Sequence, residues 1–201
     1  MNLNKCILRK QLLVSFCCVS FLSVSAAVPQ LPTKTEVLQQ MALVNNYYMA
    51  NHKIAVETND WVKSAYFTGC MEFYKLYQDQ KLLNYMTSWA EINNWALGTN
   101  ADKHGADGQV CGQTYIDLYQ LDGNKDEYKI RAIKECIDGL IANPQESIDD
   151  WWWVDSYFMA MPLFSKLGAL YKDNTYFERM HAMHTYSRNR WKLSSYQGSG
   201  S

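Results

Sequence analysis

The chain has 201 residues, 48% hydrophobic and 14% aromatic, enough for one or two ordinary domains with a real core. Basic and acidic residues number 19 and 20, for a net charge of −1, and no Lys/Arg cluster runs longer than a pair. There is no field of one sign to gather nucleic acid or an anionic membrane.

Residues 1–27 read as a secretory signal peptide. Lys5, Arg9 and Lys10 supply the positive region, Leu12 to Val24 the apolar run, and small residues ending at Ala26 or Ala27 the cleavage site. The run is shorter than the roughly 20 apolar residues that cross a bilayer as a helix. Cys17 and Cys18 raise lipid attachment, but bulky Phe16 stands where such a site wants a small residue. The expected location is periplasmic or secreted, with no membrane association after cleavage. Of six cysteines, Cys70, Cys111 and Cys136 remain, odd in number and widely spaced. They read as buried free thiols rather than a disulfide framework or a zinc site.

Past Pro29 to Pro32, apolar residues recur at three and four positions, predicting helices over 35–50, 62–77, 81–95, 107–121, 127–141, 155–171 and 175–188. The first carries Val37, Met41, Val44 and Tyr48 on one side. No stretch alternates with period two, so the class is all-α. Three segments share a plan of aromatic-rich helix, polar turn and second helix. Their turns are Gln78–Lys81, Asp122–Lys125 and Lys172–Thr175, and the first residues expected to bury after them are Leu83, Tyr128 and Phe177. The copies repeat at roughly 45 to 49 residues, the signature of stacked αα-hairpins, which build either an open solenoid or a closed ring. Residues 28–190 make one such domain, and 191–201 read as a low-complexity tail.

Two acids occupy equivalent places in successive hairpins. Asp107 opens one helix after the loop from Gly98, and Asp155 opens another after Trp151-Trp152-Trp153. In a ring both would enter one cleft. Glycosidic chemistry uses two carboxyl groups in unlike environments, one protonated and one ionised. The tryptophans are expected to desolvate Asp155 and raise its pKa, while Asp107 lies in a more polar setting. Helix capping is the alternative for either residue. Three consecutive indoles point in different directions, so at least one should face solvent or a cleft, where aromatic faces stack on sugar rings. His104 could donate to a substrate carboxylate. No phosphate loop, HExxH or GxSxG stands in the chain, and neither metal nor cofactor is expected.

Ala106-Asp107-Gly108-Gln109-Val110-Cys111-Gly112-Gln113-Thr114-Tyr115-Ile116-Asp117-Leu118-Tyr119 resembles the AD-x-x-x-x-GQ-x-Y-x-x-LY segment of glycoside hydrolase family 105, the unsaturated rhamnogalacturonyl hydrolases. Asp150 to Pro162 resembles that family's WWW-x-D-x-x-x-MA-x-P segment, and Trp61 to Tyr77, with Gly69, its first inner helix. The related family 88 unsaturated glucuronyl hydrolases share the fold and the paired Asp. The resemblance implies an (α/α)6 barrel, a six-hairpin toroid, of which this chain carries about the first half. It implies release of a 4,5-unsaturated uronic acid from lyase-generated oligosaccharides of the rhamnogalacturonan or pectin type. Asp155 would protonate the vinyl ether and Asp107 would assist, with Trp152, Trp153 and Tyr66 as aromatic contacts to the sugar. The family's later Arg, Gly and Trp cluster has no counterpart here, and Gln145 stands near the place of a frequent Lys. Two other readings compete: a helical-repeat module that binds sugar or protein without chemistry, and an α/α-barrel glycosidase acting on ordinary glycosides.

Overall fold

The structure is a computed structural model and describes residues 30–98, 105–144, 151 and 153–190. The 1–27 signal segment and the 191–201 tail lie outside the described residues. Among these residues there is no strand, and those from Thr33 to Arg190 form a single compact unit of helices. None of the helices is long and apolar enough to cross a membrane.

Helix α1 (Lys34–Asn51) starts at a capping box, in which the Thr33 hydroxyl receives the Glu36 amide and the Glu36 carboxylate receives that of Thr33. It lies against α2 (Trp61–Tyr77), which turns back into α3 (Gln80–Ile92). The second hairpin is a short turn of helix, α4 (Ala106–Gln109), then α5 (Cys111–Leu121) and α6 (Tyr128–Ala142). The third repeats it with α7 (Ser156–Met159), α8 (Met161–Tyr171) and α9 (Asn174–Arg190). Helices α2, α5 and α8 pack side by side as an inner layer, and α3, α6 and α9 each cover the inner helix they follow.

The hairpin turns fall where the polar clusters lie in the sequence. Gln78, Asn124 and Lys172 take left-handed backbone at φ 53, 60 and 55°, which ends one helix and reverses the chain. Asp79, Asp126 and Asp173 then accept amide hydrogens from Lys81, Tyr128 and Thr175, starting the next. The first residues to bury after the turns are Leu82, Ile130 and Tyr176, one or two positions away from the expected Leu83, Tyr128 and Phe177. Tyr128 stays 46% exposed beneath the Arg131 guanidinium. On α1, Val37 and Val44 are also exposed, because that helix packs chiefly on α2 and Met41 and Tyr48 meet it.

Helix α5 is buried at every position from Cys111 to Tyr119 because it serves two cores. Cys111, Tyr115 and Leu118 join Phe67, Met86 and Trp89 on the α2–α3 side. Val110, Ile116 and Tyr119 join Ile133, Phe164 and Leu167 on the other. Close approach of the layers depends on two glycines in equivalent helices. A Cβ on Gly112 would meet Ile133 Cγ1 at 2.4 Å, and one on Gly168 would meet Phe177 Cε2 at 2.7 Å. Cys70, Cys111 and Cys136 are buried and outside any disulfide, as expected, and burial pushes Cys70 and Cys111 up to about 12.

Candidate active site

Both inner helices that carry an acid are broken just after it, and sequence periodicity alone reads straight through the breaks. After Asp107 the break is at Val110: the Gln113 amide bonds to the Val110 carbonyl at 3.1 Å rather than one residue further back. The turn before it is held from outside by Gly98, whose amide donates to the Gly108 carbonyl at 2.8 Å. A Cβ on Gly98 would lie 2.8 Å from the Asn59 carbonyl oxygen and 3.3 Å from Gly108 Cα, so only glycine fits this crossing.

After Asp155 the break is at Ala160. Pro162 has no amide hydrogen to give the Phe158 carbonyl, and the Leu163 amide turns to Ala160 at 3.0 Å, leaving the Met159 carbonyl as well. The Gln113 side chain satisfies both: its Nε2 donates to Phe158 at 2.7 Å and to Met159 at 2.9 Å. A buried amide on the Asp107 helix is thereby tied to the Asp155 segment.

The two acidic turns, α4 and α7, pack against one another. Asp107 and Asp155 are both exposed, and neither carboxylate makes a cap hydrogen bond to its helix. The carboxyl of Asp107 is held above its ordinary range, first by burial of its surroundings and then by the negative charge of Asp155. The Asp155 charge is thus felt at Asp107 across the packed turns. Desolvation of Asp155 by its tryptophans is not what the structure has. Trp151 turns into the core at 1% exposure, edge-on to Tyr157 and Phe164, while Asp155 stays open to solvent. Its neighbour Trp153 is 55% exposed and provides an aromatic surface beside the pair.

A third acid shares this repeat position, and sequence reading missed it. Asp60 precedes α2, about 47 residues before Asp107, within one residue of the interval that separates Asp107 from Asp155. Its carboxylate is occupied, accepting the Val62 and Lys63 amides at 2.9 and 3.1 Å and the Thr58 hydroxyl. Burial pushes its pKa up, but those bonds and the Lys63 charge outweigh burial and hold it below the ordinary range. Three equivalent acids thus divide into one cap and two without cap bonds.

The remaining candidates separate. Tyr66 lies in the α1–α2 seam, stacked on Tyr48 at 3.7 Å with its hydroxyl donating to Asn45 Oδ1 at 3.0 Å. These contacts give Tyr66 a packing role between α1 and α2. His104 and Trp152 lie outside the described residues. Among those residues no cluster of three His, Cys, Asp or Glu could hold a metal. A groove of about 470 Å³ opens among α3, α5 and α6, lined by Asn84, Ser88, Trp95, Leu118 and Lys129, and neither acid reaches it.

With this geometry in place, residues 36–194 match Glycosyl Hydrolase Family 88. The chain belongs to that family. It is 25% identical over 167 residues to an unsaturated 3S-rhamnoglycuronyl hydrolase of Formosa agariphila, covering 77% of this chain and 44% of that protein. The fold is similar to a family 88 glycosyl hydrolase from Bacteroides vulgatus, with TM-score 0.71 and 31% identity over 79% of this chain and 48% of that one. It is also similar to a polysaccharide lyase, with TM-score 0.68 and 32% identity over 77% and 46% of the two chains. The family 88 chain thus spans less than half the length of these relatives, and its hairpins belong to an α/α-barrel fold.

Proposed function

We propose that the acidic pair serves hydrolysis of oligosaccharides ending in a 4,5-unsaturated uronic acid, of the rhamnogalacturonan or pectin type. The observation that carries this reading is the coupling of Asp107 and Asp155 across two packed helical turns, beside the exposed face of Trp153. The family match and the rhamnoglycuronyl hydrolase relative support the same class of chemistry.

In this mechanism a proton from Asp155 goes to C4 of the vinyl ether, and a water oxygen bonds to C5 while its proton passes to the carboxylates. The resulting hemiketal opens and releases the rest of the oligosaccharide. In the free protein burial, and then the nearby Asp155 charge, favour the protonated form of Asp107. A pyranose stacked on Trp153 would cover Asp155 and displace its water, which sets that carboxyl against the double bond as the donor in the complex. This arrangement needs no cofactor, and export to the periplasm or beyond would bring it to its substrate.

The test is the ultraviolet absorbance of the conjugated double bond in an unsaturated galacturonyl-rhamnose disaccharide. Hydration erases it on the disaccharide, whereas a lyase would leave the disaccharide unchanged and raise the absorbance only on intact polysaccharide, so the two substrates together separate this reading from lyase chemistry. We expect absorbance to fall with the native chain and to stay constant with Asp155→Asn. An Asp155→Asn variant as active as the native chain would remove Asp155 from the mechanism.

A further inference from the structure

We propose that Gln113 and Pro162 work together as a spacer that fixes where the Asp155 turn sits relative to the Asp107 turn. This rests on the acidic pair acting as one site. Gln113 is 4% exposed, lies on the helix that continues from Asp107, and makes no contact with either acid in the bonds it forms. A side-chain amide has two hydrogens to give, and Gln113 gives both to consecutive carbonyls, Phe158 and Met159. Those two carbonyls lack helical donors for a reason written in the sequence: Pro162 has no hydrogen for the first, and the kink it accompanies takes the Leu163 amide from the second. The proline creates a vacancy of two acceptors, and the glutamine on the neighbouring inner helix fills it. A buried carbonyl left without its donor is costly, so both bonds resist breaking.

Gln113 is therefore a positioning residue for the pair, and its effect should be visible in the acids without any substrate. The reporter is the titration of the Asp107 carboxyl, followed by carbon-13 NMR of the full chain in the native protein, Asp155→Asn, Gln113→Leu and Gln113→Leu/Pro162→Ala. Burial holds Asp107 up first and the Asp155 charge adds to it, so Asp155→Asn should move its titration part of the way to lower pH. Gln113→Leu, which keeps the bulk and loses both donors, should move it the same way, because the Asp155 turn is released. Pro162→Ala restores an amide hydrogen in helical reach of the Phe158 carbonyl, and the double variant should recover part of the native titration. Where turnover is measured, Gln113→Leu should lower kcat about tenfold or more with a smaller change in KM, as a displaced catalytic group does.

If Asp155→Asn shifts Asp107 but a folded Gln113→Leu leaves it at the native value, the spacer is refuted and the pair stands. If Asp155→Asn itself leaves Asp107 unmoved, the pair is refuted and the spacer with it. Should Gln113→Leu fail to fold, Gln113→Asn decides the matter: it keeps both hydrogens on a side chain one methylene shorter. An unshifted Asp107 in a folded Gln113→Asn would count against the spacer, and a shift to lower pH would support it.

Discussion

At the scale of single residues, what separates Asp107 from Asp60 is occupation. Asp60 spends its oxygens on two amides and a hydroxyl, so its charge is stabilised. Asp107 makes no such bonds, and burial of its surroundings and then the Asp155 charge oppose its ionisation. The folded chain then binds the Asp107 proton more tightly than the unfolded chain does. Stability falls as pH rises from the ordinary Asp value of 3.8 through the raised one, and the cost persists at neutral pH. Asp107→Asn abolishes that cost together with the charge. It should stabilise the chain at neutral pH by a few tenths of a kcal/mol, a small figure because the side chain is exposed and solvent-screened. The melting temperature should rise by about 1 °C at neutral pH and not at all below the ordinary Asp value, where both states are protonated. A melt that shifts equally at both ends of the pH range would assign the effect to something other than the ionisation of Asp107.

At the scale of elements, the turn chemistry and the helical period were legible because each is local. Gln78-Asp79 and Lys172-Asp173 each combine a chain reversal with a cap, and the observed helix boundaries fall within a few residues of those expected. Three features were not legible, because each depends on a partner far along the chain. The breaks at Val110 and Ala160 rest on Gly98 and on Gln113, and Asp155 stays open because Trp151 finds a place among Tyr157 and Phe164. The glycines show the same division. Gly112 on α5 and Gly139 on α6 look alike in the sequence, yet one faces Ile133 and the other nothing within 4 Å. Gly112→Ala should therefore cost about 1–3 kcal/mol through overpacking. Gly139→Ala should stabilise by up to about 1 kcal/mol, the gain in helix propensity. Urea unfolding of the two variants reads the opposite signs directly, and a neutral Gly112→Ala would mean the α5–α6 seam can spread without cost.

At the scale of the whole helical unit, the acidic turns keep their place only if the inner helices behind them keep theirs. One carboxylate joins all three. Asp117 on α5 accepts Lys75 of α2 at 3.1 Å and Lys166 of α8 at 2.6 Å, and Lys166 also reaches the Gln113 carbonyl at 3.2 Å. Burial depresses the Lys166 amine below its ordinary 10.5, and the Asp117 charge offsets only part of that. Asp117→Asn should cost about 2–3 kcal/mol at neutral pH, since it leaves an ammonium half enclosed without its counter-charge. Adding Lys166→Met removes the stranded charge, so the double variant should lose less than the two single losses combined, by about 1 kcal/mol or more. The pH dependence supplies an independent check. A lysine whose folded pKa is lowered binds its proton better in the unfolded chain, so stability rises as pH climbs through that value. In Asp117→Asn the value drops further, and part of the neutral-pH loss should return on titrating toward 10.5. Equilibrium unfolding across that range, with the native chain alongside, would show the gap between the two narrowing. A constant gap would mean that Asp117 contributes through packing and hydrogen bonding rather than as the charge that holds three helices in register.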